Sequence, residues 1–300
     1  MSAISPIPAL FSTPGKIAVV TGGSRGLGLH AATGLLLSGC SKVYITSRKA
    51  SACEEAVKAL NSIKGIHGKA ISVPADISKP EEITRFVQEL QKDTDHVDIL
   101  VANAGATWGA PYGSWKKEYW DKVMTLNVTS VFLLVQEYAS LPRLRSWFFC
   151  NDTLLAKNAT VTDPSRVITT SSVAGIKGFS TGQNATFSYS ASKSAVMHLT
   201  KHLAVALAPQ RILCNSIAPG FFPSKMANAL IDIYGGVDHL AKKNLNGRVG
   251  IEDDFAALVV FLSAKASGHV NGVVIPLDGG GHLVGDIFGE EEGEAPKAKL

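Results

Sequence analysis

Long hydrophobic runs are missing from this 300-residue chain. The longest apolar stretches, such as Phe255 to Leu262 and Val131 to Val135, fall far short of the roughly 20 residues that span a bilayer, so no membrane partner is expected. Charge of one sign is scarce too: 29 Lys and Arg against 25 Asp and Glu leave a formal +4 spread along the sequence. With no basic block and no interleaving of basic and aromatic residues, nucleic acid is excluded as a partner. Cysteine is sparse. Cys40, Cys53, Cys150 and Cys214 lie far apart, form no C-x-x-C pair and have no histidine at ligand spacing, which points to free thiols in a reducing compartment and to no bound metal. The opening MSAISPIPALFSTPGK lacks both a charged n-region and a continuous apolar h-region, so it does not read as a secretory signal. A Pro/Gly/Ser-rich linker, an internal repeat and a low-complexity tract are also absent, which favours one domain over two.

What is present is enough apolar sequence, 46% of the residues, to bury a real core. Short β-branched runs occur at 16–22, 42–48, 67–76, 97–105, 166–172, 211–220 and 272–280. Segments with apolar residues at helical spacing lie between them, among them Leu27 to Ser38, Ala52 to Leu60, Pro80 to Gln91 and Tyr119 to Leu141. This alternation predicts an α/β fold: a single Rossmann-like domain with a seven-stranded parallel sheet and helices on both faces. The domain is placed at residues 15–285, after a loose lead-in (1–14) and before an acidic tail (286–300). Residues 142–165 read as an extended helix end and a decorative surface loop. Residues 221–249, hanging from the carboxyl end of the sixth strand, are where a substrate lid would sit.

The sequence TGGSRGLG (21–28) directly follows the first strand and opens an amphipathic helix. That setting lets backbone N–H groups and a helix N-terminus meet a pyrophosphate, so Gly22, Ser24, Arg25, Gly26, Leu27 and Gly28 are candidate dinucleotide-binding residues. Gly22 would make the turn, Gly26 allow close approach and Gly28 let helix and strand pack. At the end of the second strand, the place for a carboxylate that would bond a free ribose 2'-OH holds Ser47 and Arg48. An arginine there suits a 2'-phosphate, which favours NADP(H) over NAD(H); the alternative is an ordinary surface arginine.

These residues, with Asp76 in ADI, ANAG (102–105), LNVTSVF (126–132), TSSVAG (170–175), YSASK (189–193) and APG (218–220), resemble the short-chain dehydrogenase/reductase superfamily over roughly residues 15–283. The resemblance implies that Asp76 and Ile77 flank an adenine and that Asn103, Ala104 and Gly105 lie along the cofactor. Ala102 departs from the family's usual second asparagine. The resemblance also implies that Pro219 and Gly220 abut the nicotinamide and that Ser224, in place of the family's threonine, keeps a hydroxyl near its carboxamide. Phe222 is expected along the cofactor as well. Phe221, Phe222 and Trp108 are candidate walls of an apolar substrate cleft, or ordinary core.

Tyr189 and Lys193 stand four apart in a helical pattern and so project from one face. Alone, such a pair reads as a surface feature; after a dinucleotide loop it reads as proton-transfer machinery. Carbonyl reduction needs a proton at oxygen, and an unperturbed tyrosine near pKa 10 supplies one poorly at neutral pH. A nearby ammonium is expected to lower the Tyr189 pKa, while Lys193 also bonds the nicotinamide ribose. By the family pattern Ser172 is the catalytic serine, with Ser171 as runner-up, and Asn127 holds a water near the lysine. The loop between Ser172 and Tyr189 is a few residues longer than is usual for the family.

Within the superfamily, residues 103–112, 123–132, 217–226 and 274–283 look most like the β-ketoacyl reductases of rhamnolipid pathways. That implies reduction of a 3-oxoacyl thioester or a related ketone. The alternatives are an alcohol dehydrogenase or ketoreductase of secondary metabolism, and a non-catalytic dinucleotide-binding regulator. The family commonly forms homodimers and homotetramers. A cytoplasmic setting is the default, with a peroxisomal alternative because Ala298, Lys299 and Leu300 form a variant of the S-K-L address.

Overall fold

In a computed structural model, residues 4–139, 153–178, 182–224, 231 and 235–284 are described. After a short helical turn, α1 (Ile7–Leu10), the chain alternates strand and helix: β1 (Ile17–Thr21), α2 (Gly26–Leu37), β2 (Lys42–Thr46), α3 (Ala50–Asn61), β3 (Lys69–Ser72), α4 (Pro80–Gln91) and β4 (Ile99–Ala102). There follow α5 (Lys117–Met124), a π-helical turn (Thr125–Thr129), α6 (Ser130–Ala139), β5 (Ser165–Thr170), α7 (Phe187–Leu207) and β6 (Ile212–Pro219). Helices α8 (Gly236–Lys243) and α9 (Glu252–Ser263) precede β7 (Val274–Leu277).

The seven strands form one sheet in the order β3-β2-β1-β4-β5-β6-β7, with every neighbouring pair parallel. Helices on both faces bury the central strands β1, β4 and β5 throughout, as a parallel sheet requires, while the edge strands β3 and β7 are partly accessible. Alternate residues feed two cores: Ile17, Val19, Leu100 and Val167 on the face of α4, α6 and α7, and Ala18, Val20, Val101 and Ile168 on the face of α2 and α9. The sequence shows why the covering helices form. In α4, Pro80 opens the helix, Glu81 and Glu82 occupy the first turn, and Ile83, Phe86, Val87 and Leu90 make one buried stripe at helical spacing. Each of these side chains contributes roughly 1.5–3 kcal/mol on burial.

The chain leaves β1 toward β3 and returns to place β4 on the other side of β1, with Val20 paired to both Ile45 and Val101. This reversal of winding opens a crevice beyond the carboxyl ends of β1 and β4, where ligands bind in open α/β sheets.

Two expectations change. The helix read from Tyr119 to Leu141 is broken by the π turn at Thr125–Thr129. Residues 153–159 are not decoration: Leu154, Leu155 and Ala156 are buried in the α4/α6 core, the Leu154 carbonyl accepts from Val97 N at 2.8 Å, and Leu155 N donates to Tyr138 O at 3.3 Å. Part of the expected surface loop, part of the expected lid, Cys150, and the acidic tail with Ala298, Lys299 and Leu300 lie outside the described residues. In the lead-in, Phe11 stacks on Phe261 of α9 with ring centroids 6.1 Å apart. Among the described residues no helix is long and apolar enough to cross a membrane.

Candidate active site

A cavity of about 640 Å³ opens at the carboxyl ends of the strands, within the usual range for small-molecule sites. One wall is the turn between β1 and α2. Gly22 has φ +65° and Gly26 has φ +53°, backbone conformations that other residues rarely adopt. Gly28 is needed for space: a Cβ there would lie 2.3 Å from the Gly22 carbonyl oxygen and 2.6 Å from Asn103 Nδ2. Gly26 leaves open space on the cavity side, since a Cβ there would meet no protein atom nearer than Ser224 Cβ at 3.6 Å. The β4 exit is tied to the same turn. Thr21 Oγ1 accepts from Asn103 N at 3.0 Å and Ala104 N at 3.1 Å, and Asn103 Nδ2 donates to Thr21 O at 3.0 Å.

At one end the cavity is lined by Thr46, Ser47, Arg48, Lys49 and Ala52 together with Asp76 and Ile77. Ser47 Oγ lies 3.0 Å from Cys53 Sγ, and Asp76 Oδ1 accepts from Ser78 Oγ at 2.7 Å. The hydroxyl of Thr46 is buried without a hydrogen-bond partner.

At the other end stand Ser172, Tyr189 and Lys193. Tyr189 and Lys193 come one turn apart on α7, with Lys193 Nζ 5.5 Å from the centre of the Tyr189 ring. Burial pushes the Tyr189 phenol above its ordinary value, and a hydrogen bond with Ser172 pulls it the other way. The expected lowering of Tyr189 by its lysine is thus not what dominates: Lys193 Nζ donates to Thr170 O at 2.7 Å, and its own burial lowers it to about 8. Desolvation of the phenolate outweighs the hydrogen bond with Ser172.

Ser172 and Ser171 differ in their surroundings. Ser171 Oγ donates to Ile217 O and accepts from Ser216 Oγ, both at 2.9 Å, and so bridges β5 and β6. Ser172 Oγ accepts from Ala174 N at 3.2 Å and faces Tyr189.

Among the sequence-predicted catalytic and cofactor-binding residues, Gly28 and Asn127 stand behind the cavity wall; the others line it. Asn127 lies in the π turn, a feature frequent at functional sites. Its Oδ1 accepts from Ala106 N at 2.8 Å, and its Nδ2 donates to Ala106 O and Ser192 Oγ, both at 2.9 Å. The side chain is thus committed to holding the segment after Gly105. Phe221 and Phe222 line the cavity, but Phe222 is also core, packed edge-on against Phe255 at 6.2 Å. Trp108 stacks on Tyr119 at 4.2 Å, away from the lining. Thr46, Lys49, Thr107 and Thr186 were not foreseen as lining residues. Only Lys49 carried a signal, as a second cation beside Arg48. Among the described residues no group of three or more His, Cys, Asp or Glu could hold a metal ion.

Comparison with known proteins gives a family match by the short chain dehydrogenase model over residues 16–233. The chain is similar to the rhamnolipids biosynthesis 3-oxoacyl-[acyl-carrier-protein] reductase of Pseudomonas aeruginosa, 39% identical over 91% of this chain and 98% of that protein. It is similar also to the 5-keto-D-gluconate 5-reductase of Escherichia coli K12, at 32% identity over 90% and 97%. Among solved structures, the Pseudomonas aeruginosa RhlG/NADP active-site complex superposes with a TM-score of 0.80 at 38% identity, covering 92% of this chain and 99% of that one. A gluconate 5-dehydrogenase from Burkholderia cenocepacia in complex with NADP and tartrate gives 0.77 at 26% identity, covering 93% and 99%.

Proposed function

This chain belongs to the short-chain dehydrogenase family, and on that premise we propose that it is an NADPH-dependent reductase of 3-oxoacyl thioesters. As a member it is an oxidoreductase that interconverts a ketone and a secondary alcohol. The observation that carries the substrate class is the composition of the cavity's reacting end. Val173, Ala174 and Phe221 stand near the serine and tyrosine, and the cations that line the cavity are Arg25, Arg48, Lys49 and Lys193. Apart from Lys193, these lie on the glycine loop and the β2 exit. A sugar acid, as reduced by the 5-keto-D-gluconate relative, would bring a carboxylate to a reacting end whose described lining offers no cation but Lys193; an acyl chain fits this apolar wall.

The residues present fit NADP(H). The glycine cradle admits a pyrophosphate, and Arg48 and Lys49 offer charge where an acidic residue would repel a 2'-phosphate. The orphaned Thr46 hydroxyl supplies a further donor at that end. NADPH, when bound, supplies the hydride. The chain's own residues handle the proton. Burial keeps the Tyr189 phenol protonated at neutral pH, ready to donate to the substrate oxygen, while Ser172 holds that oxygen. Lys193 would bond the ribose of a bound cofactor and return a proton to the tyrosine. Asn127 acts through Ala106 and Ser192, keeping the wall beside Lys193 in place. A homodimer or homotetramer in the cytoplasm, or in the peroxisome if Ala298-Lys299-Leu300 is read as an address, completes the reading.

The test is a carbonyl panel run with both nicotinamide cofactors. Purified protein should oxidise NADPH with a 3-oxoacyl thioester far faster than with 5-keto-D-gluconate, and should prefer NADPH to NADH. Binding of NADPH without turnover of any carbonyl would favour a non-catalytic regulator. A preference for the sugar acid would move the substrate to the other relative's class.

A further inference from the structure

Two hydroxyls among the cavity-lining residues are buried with no hydrogen-bond partner, and they lie toward opposite ends. Thr46 belongs to the end with Arg48. Thr107 belongs to the reacting end, two residues beyond Gly105, where an added Cβ would lie 3.5 Å from Lys193 Nζ. The segment that carries it is pinned on both sides. Ala106 exchanges two hydrogen bonds with the Asn127 side chain, and Ala110 N donates to Ala185 O at 3.1 Å, just before α7. Other hydroxyls near the reacting centre are engaged by the protein: Thr170 Oγ1 donates to Asn103 Oδ1 at 3.3 Å, Ser171 bridges the strands, and Ser172 caps Ala174. A buried hydroxyl left unpaired is costly, and in the wall of a ligand cavity a bound group is one way to complete it.

We infer that Thr107 is a specificity-determining residue whose hydroxyl donates to a second carbonyl oxygen of the substrate, beside the ketone that Tyr189 and Ser172 engage. The inference rests on the reductase reading and assigns a residue to the second acceptor of its 1,3-dicarbonyl substrate, which is two carbons from the reacting one. A site built to hydrogen-bond a substrate group discriminates against analogues that lack it, because the site's own polar group is then stranded. A monoketone of equal length would leave Thr107 unpaired.

The experiment measures kcat/KM of the wild type, Thr107→Val and Thr107→Ser on two probes: 3-oxohexanoyl N-acetylcysteamine thioester and 2-heptanone. Valine keeps the shape and removes the donor. Thr107→Val should lose roughly 10- to 100-fold on the thioester, while its activity on the monoketone does not fall, because no stranded hydroxyl remains, and its NADPH affinity by fluorescence is retained. Thr107→Ser should recover most of the loss. An equal loss on both probes would reduce Thr107 to a packing role, and no loss on the thioester would also overturn the inference. If the wild type rejects thioesters but reduces 2,4-hexanedione, the thioester reading fails on its own. The same variants compared on the diketone and the monoketone then judge Thr107.

Discussion

Strand β5 has a buried cation at each end, and the protein treats the two differently. At the amino end, Arg166 is 1% exposed and donates to the carbonyls of Pro164 and Ala264, with Asp163 Oδ1 at 3.9 Å. Asp163 in turn meets Lys16 at 3.0 Å. Burial lowers the guanidinium's pKa and Asp163 raises it, but an arginine starts too high to give up its proton, so its charge is permanent. It braces β5 against the end of α9. At the carboxyl end, Lys193 is 4% exposed and its Nζ donates to the carbonyl of Thr170, the last residue of β5. There burial brings the pKa to about 8, within reach of physiological proton exchange. The same strand thus holds a fixed charge where the fold is fastened and a movable one where the ligand crevice opens.

The sharpest way to break this contrast is at the carboxyl end. Tyr189→Phe removes the proton donor and keeps the ring. It should lower kcat roughly 10²- to 10⁴-fold with NADPH affinity and melting temperature close to the parent's. Steady-state kinetics, cofactor fluorescence and a thermal melt read the three quantities. A fall in melting temperature comparable to the loss of a core residue would mean that the carboxyl end fastens the fold as well.

Arg166→Met makes the complementary attack. It strands the carbonyls of Pro164 and Ala264 and leaves Asp163 with Lys16 alone, so a loss of about 3 kcal/mol in urea denaturation is expected. Below the unfolding transition, kcat/KM should match the parent's. A selective loss of turnover would show that the two ends of β5 are coupled.

How legible these two ends were follows from how local their chemistry is. The seven strands, the glycine turn, Arg48 and the Tyr189/Lys193 pair could be read because positive φ, charge type and helical spacing are written in adjacent residues. The π turn could not, since TLNVT has an ordinary helical pattern and the bulge is sustained by Asn127 bonding Ala106, 21 residues away. Leu154 and Leu155 were read as loop because a two-residue apolar pair has no period; their burial comes from Val97 and Tyr138. The direction of the Tyr189 shift is illegible for a related reason. Spacing brings an ammonium near a phenol, but only packing shows that desolvation is the larger effect. Thr107 and Arg166 carry no local signature at all.

The smallest expected effect lies in stability and separates the two cations most directly. Lys193 has an ordinary value of 10.5 and is lowered to about 8 in the folded chain. Between those pH values the unfolded chain binds the extra proton, so the stability associated with this group rises as pH rises and is lost as pH falls through about 8. At neutral pH the folded protein therefore carries a penalty of about 3 kcal/mol for holding the ammonium out of water. Lys193→Met removes that penalty along with the bond to Thr170 O, for a net gain of about 2 kcal/mol at pH 7, although turnover is lost. By pH 10.5 the wild-type lysine is neutral when folded and half neutral when unfolded, so most of the gain should fade. Other groups titrate in both proteins, so the difference between the two urea curves at pH 7, 9 and 10.5 isolates the lysine. A variant less stable than the parent at pH 7 would mean that Lys193 braces the carboxyl end of β5 as Arg166 does the amino end, and the contrast between them would collapse.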